Sequence, residues 1–268
     1  MTKTICFANN KGGSGKSTTC ANLGYFLAKS GKRVLLVDGD MQLNLSLSFF
    51  EEEEVLSMAA EEENLFEALK GQRELTPCVV ETRYAGLSLV KSTTLMSQIE
   101  YELFTKLQRE FVLKRCLKSL KEAGEYDYIL IDAPPTLGIW VINILCASDY
   151  CIIPVEASPW GLFGLANMFD FINGLSDMID TKVMGVLITK VDERKGYYRQ
   201  TKETIRSFEN IRLFDTVIHV DSAIEWAQDK SLPVAEFKKS ARSVEEFKNL
   251  AEEVRDYGSR KGKHGESK

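Results

Sequence analysis

The stretch Asn9-Asn10-Lys11-Gly12-Gly13-Ser14-Gly15-Lys16-Ser17 constrains the fold of this chain more than any other feature. It joins an apolar run at residues 4–8, which reads as a strand, to a run at residues 15–30, which reads as an amphipathic helix ended by Gly31 at its C′ position. Phosphate-binding loops follow the pattern G-x-x-x-x-G-K-[ST]. Gly15, Lys16 and Ser17 fit it, and Asn10 takes the place of the opening glycine. Glycines in such a loop let backbone N–H groups turn inward around phosphate oxygens. The helix that follows presents its positive N-terminal end to the same anion. Gly12, Gly13, Ser14, Gly15, Lys16, Ser17 and Thr18 are therefore the candidate nucleotide-binding residues. Lys16 can reach the β and γ phosphates, and the Ser17 hydroxyl can ligate Mg²⁺.

The rest of the chain repeats the alternation. Residues 33–37, 126–131, 150–155, 183–191 and 213–218 are apolar, mostly β-branched runs that read as strands. Residues 94–123, 139–147, 162–172, 197–208, 222–229 and 243–257 follow helical patterns; in 94–123, Leu95, Ile99, Leu103, Leu107 and Phe111 recur every fourth position. Strands apolar on both faces, with helices between them, predict an α/β fold with a doubly wound, mostly parallel sheet and helices on both sides. With no internal repeat and no Pro/Gly/Ser-rich linker, residues 1–257 are expected to form a single domain. Residues 51–63 carry seven glutamates and read as a solvated acidic insertion. The Gly/Lys/Ser-rich tail 258–268 is expected to be disordered.

Several function classes are excluded. The six cysteines form no C-x-x-C pair and there are only two histidines, so a zinc or iron–sulfur site has no support. The N-terminus lacks the apolar stretch of a signal peptide. The longest apolar run, 139–147, is too short to span a bilayer. In 243–257 the stripe Val244, Phe247, Leu250, Val254 and Tyr257 reads as a packing face, not a membrane anchor. A cytoplasmic protein is expected. The net charge of −5 means that any nucleic-acid contact needs a local basic patch.

Two further acidic motifs stand at strand ends. Val37-Asp38-Gly39-Asp40-Met41-Gln42 follows the second strand, and Tyr128-Ile129-Leu130-Ile131-Asp132 ends a later one. Ligands of open parallel sheets bind at the carboxyl ends of the strands. Of Asp38 and Asp40, one can hold Mg²⁺ through water while the other orients an attacking water. Asp132 ends a strand of the Walker B pattern and is a third candidate around the metal.

The loop resembles the deviant Walker A box of the ParA/MinD family of P-loop ATPases, most like its short, Soj-like members. Ala133-Pro134-Pro135-Thr136-Leu137-Gly138 resembles that family's D-x-P-P-S-L-G box, and the similarity runs from residue 3 to about residue 255. The resemblance implies an ATP- and Mg²⁺-dependent ATPase, slow alone and stimulated by a ParB-like partner, that moves plasmid or chromosomal DNA. It implies that Lys11 crosses an ATP-sandwich homodimer to the partner's nucleotide, that Asp38 serves the metal and that Asp40 serves the hydrolytic water. The proline of the family's D-x-D-P-Q motif is Met41 here, which puts the hydrolysis rate in question.

Alternative branches of the family are MinD-like and other positioning ATPases with protein or membrane cargo, iron–sulfur carriers, and small-molecule ligases. The cysteines argue against the carriers, and Lys11 with the 133–138 box argues against the ligases. DNA contact is the less direct expectation. Family members place arginines where Val220 and Ala223 stand in Ile218-His219-Val220-Asp221-Ser222-Ala223. A substitute stripe is offered by Lys195, Arg199, Lys202 and Arg206, spaced for one helix face, with Arg194 at the preceding turn. Nonspecific DNA binding through this stripe would associate the protein with the nucleoid.

Overall fold

The computed structural model describes residues 2–208 and 211–257. The chain begins with β1 (Lys3–Phe7), α1 (Lys16–Lys29) and β2 (Val34–Asp38), followed by α2 (Glu52–Ala59) and α3 (Leu65–Gly71). A hairpin of β3 (Val79–Glu81) and β4 (Leu87–Val90) leads to the short helices α4 (Ile99–Phe104), α5 (Val112–Cys116) and α6 (Lys118–Ala123). Alternation resumes with β5 (Tyr128–Asp132), α7 (Ile139–Ala147), β6 (Tyr150–Glu156), α8 (Pro159–Gly174), β7 (Lys182–Thr189) and α9 (Tyr197–Ser207). The described residues end with α10 (Ser222–Asp229), α11 (Val234–Phe237) and α12 (Arg242–Asp256).

The strands form one seven-stranded sheet in the order β3-β4-β2-β5-β1-β6-β7. Every pairing is parallel except β3 with β4, so the sheet is mostly parallel and doubly wound, as expected. Residues such as Leu35 and Ile131 face one apolar layer and Leu36 and Leu130 the other, which is why these runs are apolar at every position. One layer is closed by α3 to α9, the other by α1, α10, α11 and α12. In α12, Phe247, Leu250 and Val254 are buried against the α1 side, the packing face read from their spacing.

Two expectations fail. The pattern at 94–123 is not one helix. It is a 3₁₀ turn (Thr94–Gln98), then α4, then a break at 105–108 with Gln108 in the left-handed region (φ 49), then α5 and α6. The four-residue repeat drifts around a helix of 3.6 residues per turn. Accordingly Ile99 and Leu103 are buried while Leu107 is 89 % exposed. Asn143 of α7 then captures the freed backbone: its Nδ2 donates to the Arg109 carbonyl (2.7 Å) and its Oδ1 accepts from the Leu113 N–H (3.2 Å).

Residues 213–218 do not form a strand either. They run beside β7 and touch it through isolated bridges, Val186 to Leu213 and, just past the strand, Val191 to His219. Six steps on one side match five on the other, so the two bridges differ in register by one residue. The acidic stretch is more ordered than its composition suggests. A reciprocal capping box of Glu51 and Glu54 starts α2, and Val55 is its one buried residue. The tail expected to be disordered, 258–268, lies outside the described residues.

Candidate nucleotide-binding site

The loop between β1 and α1 is shaped by its own sequence and by the strands beside it. Asn9 Nδ2 donates to the Pro154 carbonyl (2.7 Å) of β6, and Asn9 Oδ1 accepts from the Lys11 N–H (2.9 Å). Gly13 (φ 73) and Gly15 (φ 87) occupy the left-handed region, which glycine enters without penalty. Thr189 Oγ1, at the end of β7, donates to the Ser14 carbonyl (2.8 Å) and pins the loop from behind. Gly15 is the N-cap of α1, and no side chain caps that end. The first N–H groups of α1 are therefore available to an anion.

Lys16 is 6 % exposed, and its Nζ donates to the Lys11 carbonyl (3.3 Å). Burial pushes its pKa below the ordinary lysine value, opposed by the charges of Asp132 and Asp40. A buried ammonium hydrogen-bonded to a carbonyl gains by acquiring a phosphate.

The acids converge on the same point. β2 and β5 are parallel neighbours in register, which sets Asp38 opposite Asp132. The Gly39 N–H donates to the Asp132 carbonyl (3.0 Å), and a Cβ on Gly39 would stand 2.7 Å from that oxygen. Only glycine allows the D-G-D turn so near β5. Trp140 Nε1 of α7 donates to the Gly39 carbonyl (2.8 Å) and ties the turn to the helix that follows the 133–138 box.

Asp38 accepts from the Ser46 N–H (2.8 Å) and the Ser46 hydroxyl (2.7 Å). Burial nevertheless raises its pKa to about 6, against these hydrogen bonds. Asp132 is fully buried, and neither of its carboxylate oxygens has a hydrogen-bond partner at ordinary distance. The Ser17 hydroxyl and Lys16 favour its charged form only in part. Burial first, and Asp38 second, hold its pKa well above the usual carboxylate range. Asp40 is nearly buried and accepts from the Gln42 N–H (3.1 Å).

A buried, unsatisfied carboxylate beside a serine hydroxyl is a donor set that suits a hard divalent cation. No group of three acidic, cysteine or histidine side chains capable of holding a metal by itself occurs among the described residues. The donors therefore fit an ion that brings water and phosphate oxygens as its remaining ligands, as Mg²⁺ does.

Lys16, Ser17 and Asp40 line a cavity of about 580 Å³, while Asp38 and Asp132 are fully buried outside its lining. One side is the P-loop with Thr18 and Asp40. The other is formed by Thr189, Lys190 and 218–221. Gln228 of α10 donates to the Thr18 hydroxyl (2.9 Å) across it. His219 is braced there by Glu246 (2.7 Å), Glu193 (3.0 Å) and Arg242 (2.8 Å). Val220 is exposed and Ala223 is buried, so only the first could carry a surface cation.

Lys11 does not stand free. Its ammonium pairs with Glu156 and donates to the Ser158 hydroxyl (3.1 Å), at the end of β6 and the N-cap of α8. The basic stripe is partly as expected. Arg199 and Arg206 are exposed on α9 and Lys202 is half-buried, with Thr201 and Ile205 buried opposite. Lys195 precedes α9 and so does not share its helical face, while Arg194 forms a two-pronged pair with Asp192 (2.8 and 2.9 Å).

A family model described as an AAA domain matches residues 2–184. The chain is 34 % identical over 256 residues to the sporulation initiation inhibitor protein Soj of Bacillus subtilis (strain 168), covering 95 % of this chain and 98 % of that one. It is 30 % identical over 252 residues to the chromosome partitioning protein ParA of Myxococcus xanthus (strain DK1622), covering 93 % and 87 %. Among solved structures, cobyrinic acid a,c-diamide synthase from Mycobacterium smegmatis with bound ADP and magnesium matches with a TM-score of 0.81 at 26 % identity, covering 97 % and 96 %. A putative plasmid partition protein from Borrelia burgdorferi B31 bound to AMPPNP shares the fold, with a TM-score of 0.79 at 24 % identity over 96 % and 99 %. No helix among the described residues is long and apolar enough to cross a membrane. With its loop variant, its sheet order and these relatives, the chain belongs to the ParA/MinD-like P-loop ATPases.

Proposed function

We propose that this chain is a ParA-type partition ATPase that binds ATP with Mg²⁺, dimerises around it, and hydrolyses it slowly until a ParB-like partner accelerates the step. The observation that carries the reading is a cavity lined by an uncapped helix N-terminus and the buried Lys16, with the unsatisfied, buried Asp132 interacting with Lys16 and Ser17. Backbone N–H groups of residues 12–18 would hold the β and γ phosphates, and Lys16 would neutralise them. Ser17 and Asp132, with the charge of Asp38, would hold Mg²⁺, which when bound supplies charge neutralisation between the phosphates. Asp40 would accept a hydrogen bond from the attacking water and aim it in line. Phosphoryl transfer asks mainly for such positioning and charge.

Lys11 would complete the site from a second copy. Its pair with Glu156 is partly exposed, with side chains 25 % and 31 % accessible, so releasing it costs on the order of 1 kcal/mol or less. Cargo DNA would bind nonspecifically through Arg199, Lys202 and Arg206, with Lys195 and Arg194 beside them. In that case the protein would lie on the nucleoid.

ATPase assays test the core of the reading. Lys16→Ala should lose ATP binding and turnover, whereas Asp40→Ala should bind ATP and accumulate an unreacted complex. Turnover by Lys16→Ala equal to the parent's would refute the site. A fast rate for the protein alone would point instead to a small-molecule ligase. One observation favours a second reading, a protein or membrane cargo: Tyr101, Phe104 and Leu107 lie exposed around α4. A parent ATP dimer that holds no DNA would favour it.

A further inference from the structure

We infer that Trp140 is a positioning residue for hydrolysis: its indole holds the peptide that carries Asp40. The inference rests on the reading above, that Asp40 aims the attacking water. Three observations carry it. First, the peptide between Gly39 and Asp40 is held at both ends. Its carbonyl accepts from Trp140 Nε1 (2.8 Å), and its N–H donates to Asp38 Oδ1 (3.3 Å). A peptide unit is planar, so fixing both of its polar groups fixes the direction in which the Asp40 Cα leaves the end of β2.

Second, the bonds on the far side of Asp40 are internal to the turn. Its carboxylate accepts from the Gln42 N–H (3.1 Å) and its carbonyl from the Leu43 N–H (3.0 Å), so these partners move with it. Met41, 44 % exposed, has no ring to fix φ as a proline would. The bond from Trp140 reaches the turn from another element, α7, across 101 positions of sequence. Third, the indole is more specific than its packing requires. Trp140 is 2 % exposed, and its Nε1 lies 3.3 Å from where a Cβ on Gly39 would stand. A phenylalanine or leucine would fill that apolar place without bringing a buried donor that must be satisfied. The nitrogen adds one directed bond, and it is aimed at the peptide that joins the D-G turn to Asp40. That bond gives the turn the rigidity that Met41 does not supply.

The test is steady-state ATP hydrolysis by the full chain with Mg²⁺, beside titration calorimetry with ADP. Trp140→Phe keeps a ring in the core and removes the donor. It should lower kcat roughly ten-fold, the scale of one buried hydrogen bond. ADP affinity should stay within about two-fold of the parent's, since the bond acts on the water and not on the phosphates. In an Asp40→Ala background the same change should leave the residual turnover as it is, because nothing remains to be positioned. A tryptophan with a structural role alone would slow both backgrounds by the same factor. A second variant covers poor folding of Trp140→Phe. Trp160 and Trp226 are 73 % and 58 % exposed, and together with Trp140 they are the chain's three tryptophans. With Trp160→Phe and Trp226→Phe in place, the remaining indole can be exchanged for benzothienylalanine, which has its shape and no N–H. The same fall in kcat is expected against that background. Undiminished kcat in Trp140→Phe or in the benzothienyl protein would overturn the inference. So would a loss of ADP affinity as large as the loss in kcat, or equal slowing with and without Asp40. Turnover by Asp40→Ala equal to the parent's would instead refute the role of Asp40, an outcome distinct from the failure of Trp140 alone.

Discussion

Asp38 and Asp132 show how a site is prepared at the cost of the empty fold. Both carboxyls hold their protons more tightly in the folded chain than in the unfolded one. A raised folded pKa contributes stability that is complete below the unfolded value and is lost as pH rises through the folded one. For Asp38 that window runs from its ordinary 3.8 to about 6, and the loss is on the order of 3 kcal/mol. The nucleotide-free protein should therefore lose part of its stability between about pH 4 and pH 6. Asp38→Asn should raise its melting temperature by several degrees at pH 7.5 and leave it nearly unchanged at pH 4. Asp132→Asn should act in the same direction and abolish the stabilisation that Mg²⁺ and ADP give the parent. Melting curves against pH, with and without ligand, check both; an Asp38→Asn variant that melts below the parent at pH 7.5 would contradict the account.

At the scale of elements, the helix that ends the described chain illustrates periodicity that survives folding. Phe247 is fully buried and joins α12 to the α1 face. Because α1 begins at the P-loop, loosening this contact acts on both stability and the site. Phe247→Ala should cost about 3–5 kcal/mol by the usual scale for a buried aromatic, and denaturant unfolding measures it. A loss below 1 kcal/mol would mean that α12 is not part of the cooperative core. The segment 94–123 is the opposite case. Its four-residue repeat is equally regular, but Asn143 of α7, remote in sequence, accepts from and donates to the backbone and holds the break open.

At the scale of the whole molecule, two predictions concern assembly. Lys11→Ala should still bind nucleotide but remain a monomer with ATP, as read by sedimentation or light scattering. Glu156→Gln, which frees Lys11 from its own chain, should not abolish the ATP dimer. A dimer indifferent to ATP and to Lys11→Ala would count against the sandwich. For DNA, a dimer presents Arg199, Lys202 and Arg206 twice. Each phosphate neutralised adds about 0.9 to the slope of log affinity against log salt. Lys202→Glu with Arg206→Glu should abolish duplex binding while leaving ATP-dependent dimerisation intact; unchanged affinity at low salt would show that the stripe is ordinary surface.

The phosphate loop, the alternation of elements and the doubly wound class were legible in the sequence because each depends on short-range rules. Glycines permit a turn, lysine carries a charge, and strands buried on both faces must be apolar throughout. The position of Asp38, Asp40 and Asp132 at strand ends beside the loop was legible for a related reason, since each closes or follows an apolar run. Three features depended on the tertiary structure. The left-handed turn at Lys190, close against Gly13, follows from where β7 ends relative to the loop. The pairing of Lys11 with Glu156 spans 145 positions and exists only because β1 and β6 are neighbours. The failure of 213–218 to become a strand was decided by its pairing with β7, which it meets through isolated bridges that differ in register by one residue. Local chemistry specified the elements and the anion they await, while the parallel sheet decided which side chains meet around it, since contacts between distant segments follow from strand order and not from spacing along the chain.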